Sequence, residues 1–251
     1  MGKLRFGIVL ISILGALLAS PFCLAQRYTF KPYGQAEGLS NLNINVLLQS
    51  RAGVLFAGTE NGLFRYDGER FERVNLGPDI LVGNVLALHE DAQARLWVGR
   101  QNGVGYLEGS VFHVMHFEGR KLGLFSGSTI ASSSDGTVFV ASDGDLMAGK
   151  QSGPSGEWNF RKVPLADPAA PALTLKVHSV VISVMTSVMT SKDASLFLGC
   201  GDGICRLNGS QLQKWGEKEG LEKDNWQSLF VTSKGDFWAL GLKHIATLPQ
   251  G

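Results

Sequence analysis

Short runs of mainly apolar residues fill the chain from about residue 42 onwards, separated by glycine, asparagine and aspartate. Many of these runs alternate with a period of two and others are wholly apolar, and neither pattern has the 3.6-residue spacing of a helix. The first group of runs reads INVLLQS, GVLFAG, GLFRYD and RFERV. Gly, Asn and Asp tolerate the positive φ that hairpin turns require. The pattern therefore predicts an all-β protein of short antiparallel strands.

Five segments align without gaps and show that the groups of strands repeat. They are SRAGVLFAG, DAQARLWVG, SSDGTVFVA, SKDASLFLG and TSKGDFWAL, and their starts are 41, 42, 58 and 41 residues apart. The fourth residue is always Gly or Ala, and the seventh is always aromatic: Phe56, Trp97, Phe139, Phe197 and Trp238. A second marker, EGL, occurs at residues 37–39 and 219–221, and its glycine precedes the aligned segment by 12 residues in both places.

Four strands in a unit of about 41 residues are the signature of a β-propeller blade. We predict blades at approximately residues 42–76, 81–117, 126–164, 178–215 and 225–251. Because a single blade buries its faces only against neighbours, the aromatic at the seventh position is expected to pack between blades rather than to bind a ligand. The long interval contains GKQSGPSGEWNF and PLADPAAPALT, which we interpret as an inserted loop.

The two ends of the chain predict how the ring closes. RYTFKPYGQAEGL, from Arg27, aligns with SQLQKWGEKEGL, from Ser210, so residues 27–33 are expected to form the fourth strand of the last blade. That blade has three recognisable strands of its own. Five blades then either close through this strand or form an incomplete part of a larger ring of about seven blades. The abrupt end after HIATLPQG favours the larger ring.

Net charge, the N-terminal segment and the cysteines indicate which partners and which cellular location to expect. The formal net charge of +1 gives no basic surface for nucleic acid. Lys3 and Arg5 precede the apolar run Phe6–Ala19, and small residues precede Gln26, which is the pattern of a cleaved signal peptide. Residues 1–25 are therefore predicted to be removed, leaving 26–251 in the periplasm, and an uncleaved anchor is the alternative. Cys200 and Cys205 flank GDGI, where they either pair across a hairpin or remain reduced.

The first two units closely resemble the two-component regulator propeller repeat. In the first unit the matching residues are Gly38, Leu39, Ser40, Val46, Leu47, Gly53, Phe56, Gly58, Thr59, Gly62, Leu63, Arg65 and Tyr66. In the second they are Val85, Leu88, Asp91, Leu96, Trp97, Gly99, Gly103 and Val104. The third and fifth units depart from the pattern at Ala141, Leu240 and His244. The resemblance covers nearly all of residues 27–251.

This resemblance implies a periplasmic input domain of a hybrid histidine kinase or a diguanylate cyclase. Such sensors commonly carry two rings of about seven blades, an immunoglobulin-like domain, a membrane helix and the output domain. The expectation for this chain is a non-catalytic propeller without a cofactor, which recognises a small molecule or saccharide-like ligand and signals through a membrane-linked output such as a phosphorelay.

The candidate ligand-binding residues lie in the turns between the second and third strands of the blades. In a propeller these turns open on the same end as the links between blades, and we call this end the rim. The predicted rim residues are Glu60, Asn61, Arg100, Gln101, Asn102, Asp143, Asp145, Asp202, Lys243 and His244. Variable polar residues on a repeated frame are typical of a binding face. GTENG, from Gly58, is a hairpin turn rather than a phosphate loop, because a strand follows it and no lysine does.

Two other functions remain open from the sequence. A propeller enzyme of the streptogramin-lyase or polysaccharide-active type would need a histidine and carboxylates close together, and His244 with Asp202 is the pair that the spacing suggests. A protein-interaction scaffold is the other alternative. His113 and His116 fall on opposite faces of one predicted strand, so the sequence predicts no metal site there.

Overall fold

The structure is a computed structural model that describes residues 30–77, 83–124, 129–152, 156–167, 170–183, 195–232 and 236–248. Contacts divide the chain into two compact units, Met1–Tyr33 and Gly34–Gly251. The predicted signal peptide lies outside the described residues. Residues 27–29 of the predicted closing strand also lie outside them, and Phe30–Tyr33 belongs to no strand. The closing strand therefore stays a prediction.

The predicted all-β propeller architecture is confirmed. Four sheets are four-stranded antiparallel meanders, and the last has three described strands, with strands pairing in chain order. Blade 1 contains β1 (Ile44–Gln49), β2 (Leu55–Thr59), β3 (Gly62–Tyr66) and β4 (Phe71–Arg73). Blade 2 contains β5 (Val85–Glu90), β6 (Leu96–Arg100), β7 (Gly103–Glu108) and β8 (Val111–Val114), followed by the hairpin β9 (His116–Phe117) and β10 (Arg120–Lys121).

The later blades repeat this order. Blade 3 contains β11 (Ile130–Ser132), β12 (Val138–Ser142), β13 (Asp145–Ser152) and β14 (Glu157–Val163), followed by the hairpin β15 (Ala166–Asp167) and β16 (Ala170–Thr174). Blade 4 contains β17 (Val177–Ser183), β18 (Ser195–Cys200), β19 (Gly203–Asn208) and β20 (Gln211–Trp215). Blade 5 contains β21 (Trp226–Val231), β22 (Phe237–Gly241) and β23 (Ile245–Leu248). Within the described residues, no helix is long and apolar enough to cross a membrane.

The interpretation of the third unit as carrying an inserted loop is wrong. The described part of GKQSGPSGEWNF lengthens β13 and β14, which contain eight and seven residues. PLADPAAPALT supplies the paired strands β15 and β16. The extra residues form strands because they extend an existing antiparallel register, Ser152 pairing with Glu157 at its far end. The described residues of these two segments thus form an elongated hairpin followed by a short one.

The turn between the first and second strands explains the repeated Gly or Ala. Gly53, Ala94 and Gly136 all adopt positive φ, at 83°, 59° and 83°. Gly tolerates this left-handed conformation without steric cost, and a single non-glycine residue adopts it less readily. The remaining two positions of this set, 194 and 235, lie outside the described residues. The repeat therefore marks a hairpin geometry rather than a ligand site.

The aromatic residues at the seventh position pack between blades in the first four units. Trp97 is fully buried against Val138, Val140 and Phe160 of blade 3, and Phe197 is 2% exposed in a cluster with Phe237 of blade 5. Phe56 and Phe139 are partly buried against the clusters of the following blades. The prediction is confirmed for these four residues.

Blade 5 differs, because its seventh-position aromatic Trp238 is 37% exposed. Phe230, Leu240 and Ile245 of the same sheet are 52%, 49% and 68% exposed. In blade 1, by contrast, Leu39 of the EGL marker covers Phe64 and Phe71. The EGL marker is thus part of the packing of the first blade, whereas the far side of β21–β23 carries exposed apolar side chains.

Candidate ligand-binding rim

The turns between second and third strands share one end of the sheets with the links between blades, as the rim prediction requires. Backbone hydrogen bonds join the two sets directly. The amide N–H of Leu124 donates to the carbonyl of Arg100 at 2.9 Å, and that of Val177 donates to Gly144 at 2.9 Å. The amide of Gly201 donates to Lys176 at 2.7 Å. These bonds place the rim turns and the links side by side in blades 2, 3 and 4.

The most connected polar group on the rim is Asp224, in the link before β21. Its carboxylate accepts hydrogen bonds from the amides of Leu242, Lys243 and His244, at 2.8–3.0 Å, and from Nδ1 of His244 at 3.1 Å. Burial opposes ionisation of this side chain, but the amide donors outweigh it and lower the pKa of Asp224 to about 2. The β22–β23 turn is therefore folded around a buried carboxylate.

His244 lies between two carboxylates. Its Nδ1 faces Asp224, whose side chain is 3% exposed, and its Nε2 lies 2.7 Å from Oε2 of Glu222, which is 73% exposed. The carboxylate of Asp202 instead pairs with Lys214 Nζ at 2.9 Å. The carboxylate partners that the structure gives His244 are thus Asp224 and Glu222, rather than the Asp202 that the sequence suggested.

In blade 2, Arg100 occupies the place that Gly241 occupies in blade 5. Val85 pairs with Arg100 just as Trp226 pairs with Gly241, so Gly83 corresponds to Asp224 in the strand register. Arg100 is 4% exposed, and burial lowers the pKa of its guanidinium. A Cβ added at Gly83 would overlap Arg100. Arg100 is consequently part of the buried frame of the rim, whereas Gln101 and Asn102 are exposed at the turn tip.

Aspartate–lysine pairs hold the rim of blades 3 and 4. Asp145 lies 2.7 Å from Lys162 and 3.5 Å from Lys176. Burial opposes ionisation of Asp145, but its two lysine partners outweigh it and lower the pKa. The hydrogen bond from Lys214 is the largest of the effects that lower the pKa of Asp202. Both carboxylates are therefore ionised and held in place at neutral pH.

The remaining rim residues are turn residues with local partners. Glu60 accepts a hydrogen bond from Asn43 Nδ2 at 2.7 Å. Asn61 accepts one from Arg73 through Oδ1 at 3.2 Å. Asp143 is exposed and adopts a φ of 51°, which Asp tolerates better than most residues. The rim thus presents exposed polar tips on a hydrogen-bonded base.

The residues that complete these clusters and that sequence reasoning missed are Asp224, Glu222, Lys162, Lys176 and Lys214. One signal was available for Asp224. It lies two residues before the first strand of its blade, as Gly83 does in blade 2. The position that faces it is Gly241 in blade 5 and Arg100 in blade 2. In each of these two blades one of the two facing positions carries a charged side chain and the other is glycine, and the two types are exchanged between blades 2 and 5. Lys176 and Lys214 carry no comparable signal, since their partners lie on other strands or turns.

A disulfide lies directly below the rim of blade 4. Cys200 and Cys205 are fully buried and are joined, with their Cα atoms 5.8 Å apart. The bridge ties the end of β18 to β19 across the turn that carries Asp202. Such bonds persist in oxidising compartments.

The rim presents hydrogen-bonding groups and charges. Ionised carboxylates, lysines and amides are already held in position by the frame, so a ligand would meet donors and acceptors with little side-chain entropy left to lose. Among the described residues, no three His, Cys, Asp or Glu side chains are placed to hold a metal ion.

Comparison with solved structures finds the same fold in several extracellular proteins. The chain is similar to the extracellular domain of a protein assigned to a hybrid two-component system, BT4673, from B. thetaiotaomicron, with a TM-score of 0.61 and 15% identity over 87% of this chain. An auxiliary nutrient-binding protein from Bacteroides ovatus has a TM-score of 0.60 and 7% identity, covering 84% of this chain and 60% of its own. The chain spans 27% of the length of the BT4673 structure.

Enzymes also share the fold. A gluconolactonase from Xanthomonas campestris is similar over 83% of this chain and 72% of its own, with a TM-score of 0.59 and 13% identity. No family model matches the sequence, and no curated protein matches it. At these identities the solved structures show the fold alone.

Proposed function

We propose that this chain is a non-catalytic, extracytoplasmic ligand-recognition propeller, the N-terminal input part of a signalling protein of the two-component type. The observation that carries this proposal is the similarity to the extracellular domain of a hybrid two-component system over 87% of the chain. The resemblance of the first two units to the two-component regulator propeller repeat supports the same assignment. The buried disulfide and the predicted signal peptide agree with a periplasmic location.

The ligand of this sensor binds on the rim, and it is a small molecule or saccharide. The exposed side chains of Glu60, Gln101, Asn102 and Asp202, together with half-buried Asn61, stand on a hydrogen-bonded base. This arrangement suits a hydroxyl-rich ligand that both donates and accepts. The nutrient-binding protein of similar fold supports a ligand of this class. The output, a histidine kinase or a diguanylate cyclase, lies outside this chain.

Thermal-shift measurements on residues 26–251 with a panel of mono- and oligosaccharides test the ligand proposal. A ligand that binds the folded state raises Tm by mass action. The combined variant Glu60→Gln, Asn61→Ala and Gln101→Ala should abolish the shift. Glu72→Gln, an exposed carboxylate that pairs with Arg65 on the outer part of blade 1, is the control and should preserve it. A shift that survives the rim variant would place the ligand elsewhere.

The output domain is tested separately by the nucleotide sequence downstream of codon 251. A reading frame that continues through a membrane helix into a kinase or cyclase domain supports the proposal. A stop codon at that position would remove the sensor assignment without affecting the binding result.

A second candidate function is supported by one cluster. Buried Asp224 orients the His244 imidazole through Nδ1, and Nε2 would be free to act as a general base when the exposed Glu222 side chain moves away. The gluconolactonase of similar fold shows that this architecture hosts catalysis elsewhere. If the chain is an enzyme of this kind, His244→Ala should abolish turnover, and unchanged turnover of a substrate would remove His244 as its base.

A further inference from the structure

A groove with a different character from the rim lies between blades 2 and 3. It arises because β13 and β14, with eight and seven residues, are longer than β7 and β8, with six and four. The extension carries Trp158 across to blade 2, where its ring lies 4.8 Å from Trp97 and 6.0 Å from Tyr106. The elongated hairpin thus becomes one wall of the groove.

The groove has a volume of about 780 Å³, and β8 forms its other wall. Tyr106 and His113 stack within it, with ring centroids 4.8 Å apart and an interplanar angle of 15°. The corresponding groove between blades 1 and 2 has a volume of about 340 Å³ and is lined by Arg65 and Arg73. Size and lining therefore single out the groove at blades 2 and 3.

The wall formed by β8 offers main-chain groups that have no partner among the described residues. Within the described residues β8 pairs with β7 alone, and the amide of Met115 donates to the carbonyl of Val104 at 2.8 Å. Because bonded and non-bonded pairs alternate along antiparallel strands, His113 also bonds towards β7, whereas the N–H and C=O groups of Phe112 and Val114 point away from it. An unpaired edge of this kind accepts an added strand.

The side chains of the groove favour a basic occupant. Glu108 and Glu157 contribute carboxylates. The guanidinium of Arg95 lies over the rings of Tyr106 and Trp158, but its charge is already paired with Asp91 at 2.6 Å. The Glu108 side chain is 66% exposed and lies 3.3 Å from Nε2 of His113. The indole N–H of Trp158 is shielded from water and meets no acceptor within the described residues. The Trp158 side chain nevertheless lines the groove, so an occupant meets an aromatic surface on this wall.

We propose that this groove binds an extended peptide segment bearing a basic side chain, which adds as a strand to the free edge of β8. Main-chain groups of the peptide pair with Phe112 and Val114, and its lysine or arginine lies against Glu108 and Glu157. This interaction is independent of ligand binding on the rim. It gives the propeller a docking site for another protein segment on its outer side.

Fluorescence anisotropy with two labelled heptapeptides of sequence Val-Lys-Val-Thr-Val-Lys-Val and Val-Glu-Val-Thr-Val-Glu-Val tests the proposal on residues 26–251. The lysine peptide should bind, and the glutamate peptide should bind at least about tenfold more weakly. The variant Glu108→Gln with Glu157→Gln should weaken the lysine peptide about tenfold, whereas the control Glu72→Gln in the smaller groove should leave it unchanged.

Amide hydrogen exchange followed by NMR identifies the bound edge. Binding of the lysine peptide should slow exchange at Phe112 and Val114 more than at Val111 and His113, which already bond to β7. Equal binding of both peptides, no binding of the lysine peptide, or protection confined to other strands would overturn the proposal. Displacement of the lysine peptide by a neutral hexasaccharide at the same residues would also overturn it, in favour of a carbohydrate groove.

Discussion

At the scale of single residues, titratable side chains on the first strands and in the links between blades are held in one protonation state by their surroundings. His89 in β5 is the clearest titratable case, because its Nε2 lies 2.7 Å from Ser132 Oγ across the junction of blades 2 and 3. Burial, the largest effect, lowers the pKa of His89 to about 4, against the opposing influence of Asp91 and Glu90. The folded protein therefore contains neutral His89 at mildly acidic pH, where an unfolded chain would protonate it.

This difference predicts a pH dependence of stability. The pKa is lower in the folded state, so His89 costs no stability above pH 6.5, and stability falls as pH drops from about 6.5 towards 4. Between pH 6.5 and 5 the free energy of unfolding should fall by about 2 kcal/mol from this residue. Urea denaturation at several pH values should show that the free energy of unfolding depends less on pH in His89→Gln than in the wild type. An equal dependence in the two proteins would contradict this assignment to His89.

A second prediction concerns the glycine opposite Asp224. A Cβ at Gly241 would overlap the Asp224 carboxylate, so Gly241→Ala should displace it from the amides of the β22–β23 turn. The free energy of unfolding should fall by about 1–3 kcal/mol, the cost of leaving buried polar groups unpaired. Gly216→Ala is the control, since nothing lies within 4 Å of the added Cβ there. Equal denaturation midpoints for the two variants would contradict the close contact between Gly241 and the Asp224 carboxylate.

At the scale of strands and sheets, the same sequence position has different roles in different blades. Trp97 in β6 is fully buried and donates its indole N–H to Asp91 at 2.8 Å. Trp238 in β22 occupies the equivalent place but stacks on Phe230, at 6.0 Å, on an exposed face. The next described sheet covers the first tryptophan and no described sheet covers the second.

Alanine substitutions at Trp97 and Trp238 should lower the stability of the protein by different amounts. Trp97→Ala should destabilise the protein by about 3–5 kcal/mol, because it removes a buried ring and leaves a cavity between blades 2 and 3. Trp238→Ala should cost less than about 1.5 kcal/mol, since its ring keeps much of its contact with water. Thermal denaturation of both variants checks this difference, and a similar loss of Tm in each would mean that Trp238 is covered in solution.

At the scale of the whole molecule, stability is distributed along a row of sheets that each contact their neighbours. In such repeat architectures a unit with a neighbour on one side only has one interface fewer than a unit between two neighbours. Among the described sheets of residues 26–251, blade 5 contacts blade 4 on one side and none covers its other side. Blade 5 also has exposed Ile245 and Leu240 on the side away from blade 4. Opening should therefore begin at blade 5 and reach the inner blades last.

Hydrogen exchange on residues 26–251 measures this gradient. Amides of β6, β12 and β18 should exchange more slowly than those of β23, because these three strands have paired strands on both edges and lie in sheets with neighbours on both sides. Uniform protection across the five blades would instead indicate a single cooperative unit. The rim ligand, if it spans several blades, should reduce the difference.

The sequence by itself determined the strands, the hairpin turns and the packing of the seventh-position aromatics in the first four units. These features depend on local conformation and on a two-residue periodicity, so they can be predicted without knowing which segments pack against each other. The positive φ of Gly53 and Ala94 and the burial of Trp97 are examples. The order of the strands along the chain also predicts that the rim turns lie at the same end of the sheets as the links between blades.

The tertiary structure alone decided which side chains meet. His244 contacts Asp224 and Glu222 rather than pairing as its spacing suggested, and Arg100 is buried where a turn residue was expected to be exposed. The groove beside β8 exists because an elongated hairpin places Trp158 against another blade. Each of these contacts joins residues from different strands or blades, so the register and stacking of whole sheets determine them, and no local pattern of residues encodes that arrangement.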